Sequence, residues 1–434
     1  MKQRYRIFRL SNIILIAIIL FPIIIFAADN VFYRGVRPMA MGGAFTAVGD
    51  DYNSRNWNPA SLATQNSWDL TIELVPKITK DVGDELMNFA QGKGLIQDTI
   101  DVMDEFQKTT NSGGINMTDP VTQKMLTQVD KISSKIIEGG NEFYAGFSIR
   151  PWKIAFGVSQ SSTLRTYIVK SAMNQSLFFP QAFSWIDNKV IYTASVDVVP
   201  TISKAFTIKE IIPVPKFLSE GDMTDRDLNW GVNLKYLLRA KYSDEKDPLA
   251  FTDLGNEAAL KQKSGIPKDM NDLPIGKGIG ADIGTIIKLN DYLNMGLNVQ
   301  DIGVTKIEYD KDKTYTTIDE EFPTNLRIGA AFKPLKFMGY KNTKAMDMTL
   351  AADLDNLNGS ARDNTDFADK THLGFETKFS LWRDFLGLGL RVGENQGFPT
   401  YGVTLNGLWF FSLQASMYGT DFADYYTLSG GLVF

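Results

Sequence analysis

One histidine and no cysteine leave this chain few routes to covalent or metal chemistry. His372 is the only imidazole, so a multi-histidine zinc site is excluded, and thiolate ligands and a cysteine nucleophile are absent. A Ser-His-acid triad could use only His372, and no nucleophile motif accompanies it. No catalytic residue, metal or cofactor is therefore expected, and His372 reads as polar filler. The acidic groups Asp244, Glu245 and Asp247, and Asp363, Asp366 and Asp369, could offer oxygens to calcium. None has the spacing of a known calcium loop, so they read as solvated charge. Recognition chemistry is carried by Lys235, Arg239, Arg327 and Arg391, which could attract a carboxylate through charge-assisted hydrogen bonds. Pairing with Asp282, Asp353 and Glu376 is the commoner use of such cations.

These side chains belong to segments with a period of two. Leu293, Met295, Leu297 and Val299 alternate with Asn294, Gly296, Asn298 and Gln300, and Leu326, Ile328, Ala330 and Phe332 alternate with Asn325, Arg327, Gly329 and Lys333. The same holds for Leu386, Leu388, Leu390 and Val392 against Gly387, Gly389, Arg391 and Gly393. One face is apolar, and the other is polar or tiny. Strands assigned this way number about fourteen, from one near Trp68 to one near Tyr425, and an even count returns both ends to one side. Short turns such as Asn290-Asp291 and Asn406-Gly407 alternate with long connections after Val75, Ser243, Val304 and Asp355. The connection from Pro200 to Asp227 breaks this rule, because it is long where a short one is expected.

Between residues 81 and 138 the spacing turns helical, with Ile96, Ile100, Met103 and Phe106, then Met125, Leu126, Val129 and Ile132. This predicts a helical insertion capping the first outer loop, or alternatively a separate helical domain.

Alternation alone does not separate a soluble sandwich from a membrane barrel. Both ends of the sequence favour the barrel. Tyr426, Leu428, Leu432 and Phe434 share one face of the last strand, as in the assembly signal of outer-membrane barrels. Residues 1–28 have the pattern of a secretory signal: Lys2, Arg4, Arg6 and Arg9, an apolar run from Ile13 to Ile25, then Ala27 and Ala28. An uncleaved anchor is the rival reading, but the run falls short of the roughly 20 apolar residues of a spanning helix. Removing four basic residues changes 45 basic against 50 acidic to 41 against 50, a formal charge of -9, which makes nucleic acid an unsuitable partner. A sheet in lipid can have no open edge, so it must close with apolar side chains outward and polar ones in the lumen.

The segment Arg37-Pro38-Met39-Ala40-Met41-Gly42-Gly43-Ala44-Phe45-Thr46-Ala47-Val48-Gly49-Asp50-Asp51, followed by Trp57-Asn58-Pro59-Ala60-Ser61-Leu62-Ala63, resembles the N-terminal signature of the FadL-type outer-membrane long-chain fatty acid transporters, including their PorV-like branch. The Asn-Pro-Ala triplet is its most specific part. Val299-Gln300-Asp301-Ile302-Gly303, residues 322–329 and Leu390-Arg391-Val392-Gly393 are also similar. The resemblance implies an all-β, transmembrane antiparallel barrel over 68–434, with a hatch over 29–67 that obstructs the lumen and uses Gly42, Gly43, Asn58, Pro59 and Ala60. It also implies passive transport of a hydrophobic ligand such as a fatty acid across the bacterial outer membrane, with outer-membrane lipid and the barrel assembly machinery as partners. The PorV-like branch implies instead an attachment or secretion scaffold. Read chemically, Asn58 can cap a short helix begun by Pro59, and Gly42 with Gly43 allows close backbone packing.

Overall fold

The computed structural model describes residues 35–65, 69–91, 119–133, 137–169, 189–208, 228–243, 249–250, 274–309, 320–340, 345–358, 367–381, 385–407, 410–420 and 424–433, with a few single positions between 93 and 105. The expected signal segment, Phe434, and the loop carboxylates Asp244, Glu245, Asp247, Asp363 and Asp366 lie outside them.

The wall consists of β1 (Asp69–Thr79), β2 (Ile137–Ile149), β3 (Ile154–Val169), β4 (Lys189–Thr207), β5 (Leu228–Ser243), β6 (Ile275–Asn290), β7 (Leu293–Gln300), β8 (Asn325–Phe332), β9 (Met346–Leu354), β10 (Thr371–Leu381), β11 (Leu386–Asn395), β12 (Phe398–Gly407), β13 (Phe411–Gly419) and β14 (Asp424–Val433). Each strand pairs antiparallel with the next, and β14 returns to β1 in a register running from Thr71↔Val433 to Thr79↔Tyr425. The sheet is closed and leaves no open edge between its first and last strands. Three short strands, Leu249–Ala250, Thr305–Tyr309 and Glu320–Phe322, attach to it. No helix among the described residues is long and apolar enough to cross a membrane, so crossing falls to the strands.

The expected facing holds in the sheet. Leu74, Leu234, Ile279, Leu390 and Leu428 stand exposed on the outside, while Glu73, Asn233, Asp282, Arg391 and Ser429 are buried within. In water such an apolar exterior would be an aggregation surface, whereas in a bilayer it is the solvated face. Where β1 starts and β14 ends, here called the terminal end, aromatic rings gather: Phe147 stacks on Phe156, Phe206 on Trp230, and Tyr292 packs against Phe332 and Phe337. Such a girdle marks a membrane interface.

Two expectations need correction. β4 does not end at Pro200 but runs to Thr207. Proline has no N–H to give the ladder, and the β4–β5 register accordingly passes from Val198↔Leu238 to Thr201↔Lys235 without pairing Pro200, which stays in register with Val158 on β3. The unexpectedly long connection is therefore shorter, starting only after the strand ends at Thr207. The second correction concerns the insertion. Its described helices are Lys80–Ala90 and Pro120–Ser133, and the first leans on the outer face of the wall, with Gly83 against Tyr426 and Ile78. Ile78 and Tyr426 are outward residues paired across β1 and β14. The contact surface for this helix is therefore the barrel exterior, not the mouth.

The wall is also uneven in height. β3 to β6 contain 16, 19, 16 and 16 residues, whereas β7 to β14 contain 8 to 11. A crossing needs about 9–11 residues, so the β3–β6 side stands above the rest at the end opposite the termini, the loop end.

Candidate functional site

Residues 35–65 fold inside the barrel as short helices at Val36–Ala40 and Ser54–Trp57 and a 3-10 helix at Pro59–Ala63. Helices of this length are unstable alone, so the surrounding wall must hold them. Met39, Met41, Phe45, Val48 and Trp57 form a buried apolar core within the lumen, together with wall residues Ala331, Ala351 and Tyr418.

Asn58 has both roles its sequence position suggests. Its Oδ1 accepts from the Ala60 N–H at 3.0 Å, capping the helix that Pro59 opens, and its Nδ2 donates to the Thr46 carbonyl at 2.9 Å. The same amide reaches the wall, donating to the carbonyls of Thr285 on β6 at 3.0 Å and Leu297 on β7 at 3.3 Å. Gly42 and Gly43 have φ of 65° and 78°, the left-handed region where a side chain is strained. His372 lies beside them, with Nδ1 2.7 Å from the Gly42 carbonyl.

The wall meets this segment with absent side chains as well as polar ones. A Cβ at Gly284 would lie 2.0 Å from Asn58 Oδ1, one at Gly231 2.5 Å from the Pro59 carbonyl, one at Gly296 2.4 Å from the Thr46 carbonyl, and one at Gly402 2.4 Å from Ala40. These inward glycines form the seat. Around them Asn298 donates to the Trp57 carbonyl at 2.7 Å and Thr400 to the Ala40 carbonyl at 3.1 Å, while Asp353 accepts from the N–H groups of Phe45 and Thr46 at 2.9 and 2.8 Å.

Charge completes the attachment. Arg37 is buried and bonds Glu376 on β10 together with Asp50 and Asp51 of its own segment. Glu376 also receives Arg391 Nε at 2.7 Å, and Lys378 Nζ lies 3.1 Å from Asp50. Burial pushes the Asp50 carboxyl up, but Arg37 and then Lys378 outweigh it and hold it well below the usual carboxylate range. Arg55 lies over the Tyr144 ring at 5.4 Å and pairs with Asp69 at 3.3 Å, and Arg327 lies over Trp57 at 4.7 Å while pairing with Asp355.

The four cations singled out in the sequence are not brought together in one place. Arg391 and Arg327 face residues 35–65, whereas Lys235 lies between Asp282 at 2.7 Å and Asp301 at 2.8 Å. Arg239 pairs with Asp197 and Glu320 toward the loop end. Sequence reasoning missed Arg37, Arg55 and Glu320. It also missed a signal that was available: Gly276, Gly278, Gly280 and Gly284 share one face of β6. That bare face receives Asn58 at one level and, nearer the loop end, a hairpin of Thr305–Tyr309 and Glu320–Phe322, since a Cβ at Gly278 would lie 2.4 Å from the Lys306 carbonyl. The described residues contain no cluster of metal-ligating side chains.

No family model matches the chain, and no curated protein matches it either. Among solved structures, a mutant of the TodX monoaromatic hydrocarbon channel aligns at TM-score 0.45 and 11% identity, over 92% of this chain and 97% of its own. The Ralstonia pickettii toluene transporter TbuX aligns at 0.43 and 10%, and the Pseudomonas putida toluene transporter TodX at 0.42 and 12%, each over 94% of this chain and 98% of the other. The architecture rests on the register and facing of the chain's own strands. By that geometry the chain is a closed, fourteen-stranded transmembrane β-barrel, apolar outside, with its own residues 35–65 packed in its lumen.

Proposed function

We propose that the protein carries hydrophobic small molecules, long-chain fatty acids among them, across a bacterial outer membrane, with residues 35–65 as the hatch of a FadL-type barrel. The observation that supports this most is a lumen packed with Met39, Met41, Phe45 and Trp57 and sealed to the wall by Arg37 and Asn58. Small hydrophilic solutes have no use for a lumen so filled, whereas an apolar solute can pack against the apolar core of the segment. Export by a cleaved signal and insertion by the barrel assembly machinery, reading the last strand, belong to this proposal. Uptake of radiolabelled oleate by proteoliposomes tests it. Uptake well above that of empty vesicles is the expected result, and uptake equal to theirs would refute it.

A scaffold role of the PorV-like kind is the second reading. The helix Lys80–Ala90 favours it, because it extends the exterior surface beside β1 and β14 instead of shaping an entry to the lumen.

A further inference from the structure

The loop-end hairpin is built like a molecule it displaces. Ile307 and Tyr309 on one arm are buried against Val199 of β4 and Leu237 of β5, with Phe322 of the other arm packed on the same cluster. Beside this apolar patch, Glu320 places its two carboxylate oxygens on two different cations: Oε2 accepts from Arg239 Nη1 and Oε1 from Lys241 Nζ. Arg239 is held for this task by Asp197, with Nη2 donating to Oδ2 at 2.9 Å, and its guanidinium lies 5.0 Å from the Phe322 ring centre. A carboxylate head on paired cations next to an apolar body on an aliphatic wall is the outline of an amphiphilic acid.

A single bend carries the hairpin, anchored at Asp301 by Lys235 and Asp282. The hairpin joins β7 through residues 301–304, where Asp301 and Val304 have φ of 50° and 67° on either side of Gly303 at 81°. A β-branched residue in that region is strained, and strain concentrated in one short bend makes it the natural hinge. The hairpin's other face, with Lys306 and Glu321, is exposed, so swinging it away unpacks the face over β4 to β6 and parts the short ladder Gly276↔Tyr309 and Lys277↔Glu308 with β6. Residues 35–65, by contrast, are seated on wall glycines and bonded to many strands.

Resting on the transport reading above, we propose that the inner face of β4 and β5 beneath this hairpin, formed by Val199, Leu237, Arg239 and Lys241, is an entry site for hydrophobic carboxylic acids. The hairpin occupies it as a built-in competitor: an incoming acid takes the place of Glu320 on Arg239 and Lys241, and its chain takes that of Phe322, Tyr309 and Ile307. An alcohol of the same length can replace the apolar half only. Charge at the head is thus the selecting feature, because displacing Glu320 without replacing its charge removes the carboxylate that bridges Arg239 and Lys241 and leaves their excess positive charge to Asp197.

Decanoate and decanol are the probes, measured for equilibrium binding to the full-length barrel in nanodiscs with empty nanodiscs subtracted. Glu320→Gln weakens the competitor, so decanoate affinity should rise about tenfold while decanol changes far less, and adding Arg239→Met should erase the difference. Equal changes for both probes, or none for decanoate, overturn the proposal. A readout on the unmutated protein stands beside it: decanoate, but not decanol, should speed amide hydrogen exchange at 305–309 and leave 45–46 protected. Protection unchanged at 305–309 under saturating decanoate also overturns it. If neither probe enters proteoliposomes at all, the transport reading itself is wrong. If both enter and Glu320→Gln fails to separate them, only the entry site is.

Discussion

Arg37 and Glu376, 339 positions apart in the chain, share two hydrogen bonds inside the lumen, Nε to Oε1 at 2.9 Å and Nη2 to Oε2. The pair joins the inner segment to the centre of β10. Glu376 is buried with Arg391 as well, so its carboxylate balances cations from both the segment and the wall. Removing one member of a buried charge cluster commonly costs about 3–5 kcal/mol, because the partners left behind have no water to turn to. Glu376→Gln should therefore loosen residues 35–65 and raise ionic conductance in planar bilayers, while the heat-modifiable barrel persists on gels. Lys378→Met should do much less, since Lys378 is 40% exposed. Equal conductance in the two variants would mean that Arg37 and Glu376 do not hold the segment.

The pH response follows from Asp50. Burial opposes its charge, yet Arg37 and Lys378 keep its carboxyl well below the ordinary carboxylate value. A carboxyl whose pKa falls on folding contributes stability above its unfolded pKa, about 3.9, and loses it as pH drops through the lower folded value. Conductance should stay low from pH 7 down to 4 and rise only below that range. Opening between pH 5 and 6 would contradict the assignment, and Asp50→Asn should open the lumen at every pH.

The glycine seat makes a steric prediction. Gly284→Val would place a side chain where Asn58 Oδ1 now lies, and Gly231→Val would do the same to the Pro59 carbonyl. Both should increase leak and expose residues 35–65 to protease with the barrel assembled. Gly430→Ala has open space around the new methyl and should behave as wild type. Intact resistance of all three to protease would remove the seat.

Asn58 and Pro59 should differ in weight. Asn58→Ala removes the cap and the bonds to Thr46, Thr285 and Leu297, whereas Pro59→Gly only restores backbone freedom, worth about 1 kcal/mol or less. Leak and oleate uptake should therefore change strongly in the first and modestly in the second. The reverse order in single-channel recordings would show that the helix start, not the wall contact, controls the segment.

On the wall, Leu428→Lys sets a charge on an outward site that is 51% exposed and midway along β14, at a cost of roughly 2–4 kcal/mol near the bilayer centre. Met295→Lys should also impair assembly more than Asn294→Lys, whose side chain points inward and donates to the Ala47 carbonyl. Denaturant titration in detergent or lipid measures both, and equal tolerance of Met295→Lys and Asn294→Lys would reverse the facing.

Read alone, the sequence determined the wall. Leu297 beside Asn298 and Leu390 beside Arg391 carry their facing in the order of residues, because a strand turns successive side chains to opposite sides whatever it packs against. The start of the helix at Asn58-Pro59 was legible for the same reason, its cap lying two residues away. The sequence did not show what each inward residue would meet. Arg37 finds Glu376, Asn58 finds Gly284, and Glu320 finds Arg239 only after the sheet closes, and closure depends on the register of strands far apart in the chain. The outward lean of Lys80–Ala90 was equally hidden, since helical spacing specifies an apolar stripe but not the surface that covers it. Even Pro200, a plausible strand end by local rules, was overruled, because β3 pairs it directly and β5 resumes its pairing at Thr201, so the ladder on either side outweighs one missing donor.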